Sequence, residues 1–189
     1  MSGISVQYIS DDDVSASLDR ELRSLLTACF TRAQDDVFRH RRYWKEPPAH
    51  RWIIRSTHGD LVAHAAAHDK TFGITHPEAG SGELRVAGIA EVCVHPSSRR
   101  RGYVKEIFGV SHHDLERMGF DFAALFGNPD VYRSSGYLPA LNPVRYDSDT
   151  GGIEETVRFD GHEGSAFLWR PVCRSDWPQD AIDLQGPRF

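Results

Sequence analysis

Three consecutive arginines followed by a glycine are the residues of this sequence with the clearest chemical potential. Arg99-Arg100-Arg101-Gly102 lies between a mostly apolar segment, residues 86–95, and a segment with apolar residues at helical spacing, residues 102–118. This order predicts a buried strand, a turn and a long helix. The first amides of a helix lack internal partners, lie at the positive end of its dipole and bind phosphate groups. We therefore expect a phosphate or pyrophosphate site at Gly102.

Two common nucleotide-binding loops and a nucleic-acid patch are alternative interpretations of this segment. Neither the Gly-x-x-x-x-Gly-Lys-Ser/Thr phosphate loop nor the Gly-x-Gly-x-x-Gly dinucleotide fingerprint is present. The formal net charge is −5, from 22 basic and 27 acidic side chains. Proteins that bind long nucleic acids usually carry the opposite excess, so we expect no nucleic-acid partner. Clustered arginines are suited to bidentate phosphate binding.

Cysteine and histidine offer two further kinds of chemistry. Cys93 and His95 fall on the same face of the predicted strand, but a thiol inside a buried strand is usually inert. We therefore interpret Cys93 as a packing residue and not as a nucleophile. His64 and His68 are four residues apart, but on a predicted strand and not on a helix. No Cys–His or His–Glu spacing matches a zinc site, and we expect no metal.

Hydrophobic periodicity predicts the elements that must position these residues. Asp11-Asp12-Asp13 offers an N-cap and first-turn carboxylates for a helix that runs to about Phe30. Residues 77–82 predict a loop. The other predicted elements are strands at 5–9, 51–55, 61–72, 120–126, from 137 onward and at 166–171, and short helices within 33–43 and 129–135. Strands on both sides of a strand–loop–helix–strand unit predict an α+β domain.

Length and composition limit the class of protein. The 189 residues, 40% of them apolar and 26% charged, suit one globular domain over residues 1–189, with residues 174–189 as a C-terminal tail. No apolar run reaches the roughly 18 residues of a membrane span, and the start lacks the pattern of a secretory signal. Three cysteines are too few and too scattered for a disulfide framework. We expect a cytoplasmic protein without a membrane partner.

Two motifs in this sequence resemble those of the GNAT acetyltransferase superfamily. Arg99-x-x-Gly102-x-Val104 after a Val-x-Val strand is similar to the acyl-coenzyme A loop of that superfamily, although Gly or Ala is usual at the position of Val104. Tyr132-Arg133-Ser134-Ser135-Gly136-Tyr137 is similar to its Tyr-x-x-x-Gly-Phe/Tyr motif, and the two motifs stand at the usual separation. The resemblance implies a mixed central sheet flanked by helices, and acetyl transfer from acetyl-CoA to an amine.

The resemblance also implies roles for individual residues. Tyr132 corresponds to a tyrosine that protonates the departing coenzyme thiolate, and Tyr137 is assigned to packing. Glu91 lies on the strand that flanks the thioester and is the candidate base, in competition with a solvent-facing structural role. A similar glutamate stands one place earlier in aminoglycoside enzymes, and a bulge would have to absorb this difference. The expected coenzyme-binding residues are Cys93, Val94, Arg99, Arg100, Arg101, Gly102, Tyr103, Val104 and Asn128.

Shorter stretches resemble enzymes that acylate an amine on a sugar ring. Residues 61–66 are similar to a strand of the aminoglycoside 2′-N-acetyltransferases, and residues 176–187 to the end of the nodulation-factor N-acyltransferases. The resemblance implies a small-molecule amine as partner, and a homodimer is left open. A longer-chain N-acyltransferase and a non-catalytic coenzyme-binding module are the alternatives. Because an amine substrate is cationic, the candidate acceptor residues are acidic: Asp35, Asp36, Asp176, Asp180 and Asp183.

Overall fold

A computed structural model describes residues 5–76, 80–148, 151–156 and 166–189. By its internal contacts the chain divides into two compact units. The first consists of the residues up to His68 together with Ile89–Ser111, and the second of Asp69–Gly88 together with His112–Phe189. Two long strands, β3 (Leu61–His76) and β4 (Gly80–Val94), contribute residues to both units.

The first unit is built on antiparallel strands and one amphipathic helix. Strand β1 (Val6–Ser10) pairs with β2 (His50–Arg55), and β2 pairs with the first half of β3. Helix α1 (Ala16–Cys29) starts at Ser15, whose hydroxyl oxygen accepts a hydrogen bond from the Leu18 N–H at 3.2 Å. Its buried leucines recur at helical spacing and pack with residues of β2, β3 and β4. The buried members of this cluster are Leu18, Leu22, Leu25, Leu26, Phe38, Ile53, Leu61 and Cys93.

The second unit combines parallel and antiparallel pairing. Strand β4 runs parallel to β5 (Phe122–Gly127) over Val86–Gly88, and β5 runs antiparallel to β9 (Ala166–Pro171). The remaining elements of the unit include helix α3 (Pro129–Tyr132) and strands β6 (Leu138–Pro139), β7 (Val144–Asp147), β8 (Ile153–Thr156) and β10 (Ile182–Pro187). Helix α2 (Tyr103–Arg117) begins in the first unit and ends in the second.

The C-terminal residues form part of the second unit's sheet and core. Strand β10 pairs antiparallel with β3 and parallel with β7. Ahead of it, the indole N–H of Trp177 donates to the Asn142 side-chain oxygen at 3.0 Å. The ring of Phe189 lies so close to Gly88 that a Cβ there would be 3.0 Å from it. Residues 174–189 therefore contribute a paired strand and two packed aromatic rings.

The α+β class with a mixed sheet is confirmed, and two local predictions were wrong. Asp11–Asp13 does not begin the long helix: it forms a separate 3-10 turn, because the Asp11 carboxylate is buried in ion pairs. Of the predicted loop at 77–82, residues 77–79 lie outside the described residues, whereas Gly80–Gly82 belong to β4. Within the described ranges, no helix has both the length and the apolar character needed to cross a bilayer.

Candidate functional site

The predicted phosphate loop leads from β4 into α2. A 3-10 turn, Pro96–Ser98, follows β4, and the Gly102 carbonyl accepts the Glu106 N–H at 3.1 Å, which closes the first turn of α2. Arg100 and Gly102 have φ values of +62° and +81°, in the left-handed region that favours glycine. Beyond Gly102 and its two chain neighbours, no atom of the described residues lies within 4 Å of where a Gly102 Cβ would be. The start of α2 is therefore open to an incoming anion.

The side chains of the loop fall into two groups. Arg99, Arg100 and Arg101 are exposed, whereas Tyr103 is buried and Val104 half-buried. Arg99 Nε donates to the Val94 carbonyl at 3.3 Å, so the guanidinium of Arg99 folds back over the end of β4. The loop thus offers exposed positive charge on one side and apolar packing on the other.

A cleft in the first unit borders this loop. It has a volume of about 1420 Å³, and the loop lines it through His95, Ser97, Ser98, Arg101 and Tyr103. Helix α1, strands β1 and β2 and the turn between β2 and β3 also line it, with Arg20 and His58 among their polar side chains. This volume is above the roughly 300–1,000 Å³ that is usual for pockets that bind small molecules.

Glu91 stands at a break in the regular geometry of β4. Its φ is +53°, a left-handed conformation inside a strand that is otherwise extended. Such a residue interrupts the alternation of side chains along β4. An irregularity of this kind is what the one-residue difference from the glutamate of the aminoglycoside enzymes calls for. The Glu91 side chain is only 4% exposed. The expectation of a solvent-facing carboxylate therefore does not describe this residue.

The Glu91 carboxylate is held by the first unit's backbone and by a buried arginine. Oε1 accepts the Trp44 backbone N–H at 2.7 Å. Oε2 lies 3.5 Å from the Arg51 guanidinium, which is longer than a good hydrogen bond. Burial raises the pKa of Glu91 to about 7, although Arg51 and the Trp44 N–H oppose the shift. A carboxylate with a pKa near neutrality is suited to accept a proton at physiological pH.

Arg51 connects Glu91 to a wider ionic network that the sequence did not reveal. Its side chain is fully buried, and Nε donates to Asp11 Oδ1 at 2.6 Å. Arg42 NH2 binds the other Asp11 oxygen at 2.7 Å. Burial raises the pKa of Asp11, but the hydrogen bonds from the two arginines outweigh it, so the pKa is lowered overall. Asp11 is therefore the counter-ion that allows Arg51 to lie beside Glu91.

His64 supports the left-handed backbone at Glu91. Arg51 NH1 lies 3.0 Å from His64 Nε2, and His64 Nδ1 lies 3.0 Å from the Glu91 carbonyl oxygen. Because arginine can only donate, Nε2 must accept, and the proton on Nδ1 is donated to Glu91. Burial and the Arg51 charge lower the pKa of His64 to about 3, which keeps the ring neutral. His64 is thus a buried residue whose two ring nitrogens hold the side chain of Arg51 and the backbone of Glu91.

Tyr132 ends helix α3 in the second unit and is half-buried. Its ring packs edge-on against Tyr137, with 6.1 Å between centroids. A Cβ on Gly127 would be 2.6 Å from the Tyr132 ring, so this approach requires a glycine. Gly136, with φ +85°, turns the chain between the two tyrosines. These contacts fix the position of the ring. The role of Tyr132 as an acid stays a prediction.

Tyr137 is buried and contacts a buried histidine. Its hydroxyl lies 3.0 Å from His112 Nε2. Burial raises the pKa of Tyr137 well above its usual range, and burial together with the Arg170 charge lowers that of His112 to about 3. Both groups are therefore neutral at pH 7 and behave as a packed, hydrogen-bonded pair.

The remaining predicted coenzyme residues have the following environments. Cys93 is buried on β4, and Val94, the last residue of β4, is half-buried. Asn128 is exposed and caps α3, since its side-chain oxygen accepts the Asp130 N–H at 2.9 Å. The Asn128 side chain is therefore used locally.

The predicted acceptor aspartates are divided between the units. In the first, Asp35 accepts the Arg32 N–H at 2.9 Å, and Asp36 pairs with Arg39 at 2.7 Å. In the second, the Asp176 and Asp183 carboxylates accept hydrogen bonds from their neighbours Ser175 and Gln185 at 3.0 and 2.8 Å. The Asp180 carbonyl accepts from the Asn142 side chain at 2.5 Å. Amine binding by these aspartates stays a prediction.

The described part of the chain contains no set of side chains that could bind a metal ion. No group of three or more His, Cys, Asp or Glu side chains there comes close enough together to hold an ion. In particular, both ring nitrogens of His64 are already used by Arg51 and by the Glu91 carbonyl.

A family model and solved structures resemble this chain. The model described as "Acetyltransferase (GNAT) domain" matches residues 11–140, which include the loop at Gly102 and Tyr132. The sequence matches no curated protein. Among solved structures, the GNAT family N-acetyltransferase YhbS from Escherichia coli, in complex with CoA, is similar with a TM-score of 0.66 at 14% identity. The similarity covers 96% of this chain and 89% of that one.

Two further solved structures have the same fold. Escherichia coli ElaA has a TM-score of 0.61 at 14% identity, covering 89% of this chain and 99% of its own. An acyl-CoA N-acyltransferase from Pseudomonas aeruginosa has a TM-score of 0.57 at 15% identity, with the same two coverages of 89% and 99%. At these identities the similarity establishes the fold, while the family model establishes the relationship.

Proposed function

The chain belongs to the GNAT acetyltransferase family, and from that premise we propose that it acetylates a primary amine of a small molecule. The family is one of acyltransferases that use acetyl-CoA. The observation that carries the proposal is the loop before α2, where Gly102 leaves the helix N-terminus open among exposed arginines. This arrangement combines unpaired amides, a helix dipole and positive charge, which together favour a pyrophosphate.

The residues of the loop fit the coenzyme. When bound, acetyl-CoA supplies the acetyl group as an activated thioester. The backbone amides of Gly102, Tyr103 and Val104 would hold its pyrophosphate, with Arg100 and Arg101 adding positive charge. The backbone groups of Cys93 and Val94 would pair with the pantetheine arm. Asn128 would contribute through its backbone, because its side chain caps α3.

Glu91 and Tyr132 are the proposed base and acid. Glu91 has a raised pKa of about 7, and its Oε2 atom makes a long contact of 3.5 Å to Arg51. It would accept a proton from the ammonium form of the substrate, directly or through water. Tyr132 would donate a proton to the departing sulfur as the thioester breaks, since a phenol, with an ordinary pKa near 10, carries its proton at neutral pH.

We further propose an aminoglycoside or an amino sugar as the acceptor. Support comes from the sequence likeness at residues 61–66 and 176–187, which is shared with enzymes that acylate sugar amines. Asp176 is exposed and Asp183 half-buried, so both carboxylates can meet a cationic amine. Asp35 and Asp36 are the corresponding candidates in the first unit. Each of the two carboxylates already accepts one local hydrogen bond through Oδ1, and a charge-assisted bond to an ammonium group would add to it.

A thiol-release assay with acetyl-CoA tests the proposal. We would present a panel of amines that includes aminoglycosides, amino sugars and peptides with a free N-terminus. Release of thiol with a sugar amine is the expected result. Thiol release with peptides alone would contradict a sugar amine as the acceptor, but it would still support acetyl transfer to an amine. Coenzyme binding by calorimetry without release from any amine would favour a non-catalytic module, and release only with longer acyl donors would favour the longer-chain alternative.

A further inference from the structure

Strand β9 pairs with both strands that flank the segment carrying Tyr132. The segment, residues 128–137, starts directly after β5 and ends directly before β6. Strand β9 runs antiparallel to β5 along Phe122–Gly127, and it also pairs with β6 at Leu138 and Pro139. A side chain of β9 that reaches residues 128–137 therefore fixes the segment relative to both of its ends.

Arg170, a half-buried residue of β9, makes this connection. Its NH1 atom donates to the Ser135 carbonyl oxygen at 2.7 Å. Ser135 ends a 3-10 turn, Arg133–Ser135, and a cation that binds the last carbonyls of a helical turn stabilises it. The guanidinium also lies against Gly136, where a Cβ would be 3.0 Å from NH1 and 3.6 Å from Cζ. Arg170 thus holds the turn that follows Tyr132 by a hydrogen bond and by close packing.

The same turn leads directly to the surface on which the Tyr132 ring rests. Tyr137 follows Gly136, and its ring packs edge-on against the Tyr132 ring with 6.1 Å between centroids. The Tyr137 hydroxyl lies 3.0 Å from His112 Nε2. Burial, and then the Arg170 charge, lower the pKa of His112 to about 3, which keeps this partner neutral. The support of the Tyr132 ring therefore depends on the turn that Arg170 holds.

We propose that Arg170 is a positioning residue for Tyr132, which it holds in place for proton donation to the departing sulfur. This inference rests on the proposed role of Tyr132 as the acid. Arg170 is not itself the proton donor, because a guanidinium keeps its protons at any physiological pH. Since a misplacement of about 1 Å can lower a rate by roughly 100-fold, loss of the anchor should slow the chemical step.

Steady-state kinetics of Arg170→Gln test the effect on the chemical step. We expect kcat to fall by roughly 10-fold, while the KM values for acetyl-CoA and for the amine stay within about twofold of wild type. Arg174→Gln is the matched control, because Arg174 is an exposed arginine four residues further along the chain. Its kinetics should equal those of the wild type. Wild-type kcat in Arg170→Gln, or a loss that lies entirely in KM, would overturn the proposal.

A double-mutant cycle with Tyr132→Phe separates positioning of the phenol from a general structural effect. If Arg170 acts through the Tyr132 hydroxyl, Arg170→Gln should lower kcat less than about twofold further once that hydroxyl is absent. Multiplied losses in the double variant would show that Arg170 acts elsewhere and would overturn only its positioning role. Wild-type kcat in Tyr132→Phe alone would instead exclude the acid, and the positioning role with it.

Amide hydrogen exchange tests the anchor without any enzyme assay. In Arg170→Gln, peptides from residues 128–137 should exchange at least about 10-fold faster than in the wild type, whereas peptides from α1 should be unchanged. Equal exchange of residues 128–137 in the two proteins would overturn the proposal. If Arg170→Gln does not fold, Arg170→Lys replaces it in all three measurements. A lysine keeps the charge but lacks the planar guanidinium, so changes of about threefold are then expected.

Discussion

Glu91 is the residue at which the pH dependence of acetyl transfer should be decided. Its pKa of about 7 predicts that kcat/KM rises with pH through neutrality as the carboxylate loses its proton. Glu91→Gln keeps the size of the side chain but cannot take a proton, so it should remove this limb and lower the maximal rate by roughly 100-fold. The measurement is a pH–rate profile from pH 5 to 9.

Glu83→Gln is the matched control for that profile. Glu83 is an exposed glutamate on the same strand, β4, and its loss should leave the profile unchanged. If the acidic limb of the Glu91→Gln protein stays at the wild-type position, Glu91 is not the base. The acidic limb of the profile would then reflect deprotonation of the amine substrate, and its position would change between amines of different pKa.

Tyr132 is the residue at which proton donation and ring position can be separated. Tyr132→Phe removes the hydroxyl and keeps the ring, so kcat should fall by roughly 100-fold while coenzyme affinity is nearly unchanged. Gly127→Ala leaves the hydroxyl but pushes against the ring, because the new Cβ would lie 2.6 Å from it. A smaller loss of kcat is therefore expected for Gly127→Ala. Wild-type kcat in Tyr132→Phe would exclude Tyr132 as the acid.

At the scale of elements, the loop before α2 is where coenzyme binding can be blocked. Gly102→Glu places a bulky acid where the pyrophosphate would sit, and calorimetry should show at least a 100-fold loss of acetyl-CoA affinity. Left-handed backbone also costs a non-glycine residue about 1–2 kcal/mol of stability, and Gly102→Ala measures this cost without the added charge.

Gly109→Glu controls for the added charge on the same helix. Gly109 is exposed in the middle of α2, and apart from its chain neighbours and the nearby backbone of the helix, no atom of the described residues lies within 4 Å of where its Cβ would be. Its replacement should leave coenzyme affinity within about twofold of wild type. Equal losses for the Gly102 and Gly109 variants would mean that charge alone weakens binding, and the loop would no longer be the assigned site.

A structural feature can be predicted from the sequence when the residues that determine it are close together in the chain. The end of β4 and both ends of α2 follow from periodicity and one glycine and were predicted within one residue, whereas β4 begins six residues before its predicted start. The role of Asp11 could not be predicted, because its partners Arg42 and Arg51 lie 31 and 40 residues away. An aspartate triplet before an apolar run looks the same whether it caps a helix or neutralises buried arginines. The left-handed backbone at Glu91 likewise depends on His64, from another strand.

The free energy of unfolding of the whole chain should depend on pH because three buried groups, His64, His112 and Glu91, have shifted pKa values. His64 and His112 both have their pKa lowered from 6.5 to about 3, because burial disfavours the charged ring. Between these values the unfolded chain binds one more proton at each site, so stability falls as pH falls below 6.5. Glu91 acts in the opposite direction. Its pKa is raised from 4.5 to about 7, so the folded chain binds one more proton and stability falls as pH rises.

Between pH 4.5 and 6.5 these three groups leave the unfolded chain with a net excess of one proton. The free energy of unfolding should therefore rise by about 1.4 kcal/mol per pH unit across this window. Glu91→Gln removes the opposing group and should about double the slope, whereas His64→Gln or His112→Gln should bring it close to zero. Urea unfolding of the four proteins at intervals between pH 4.5 and 6.5 measures these slopes. Unchanged slopes in all three variants would mean that the buried groups titrate alike in the folded and unfolded chain.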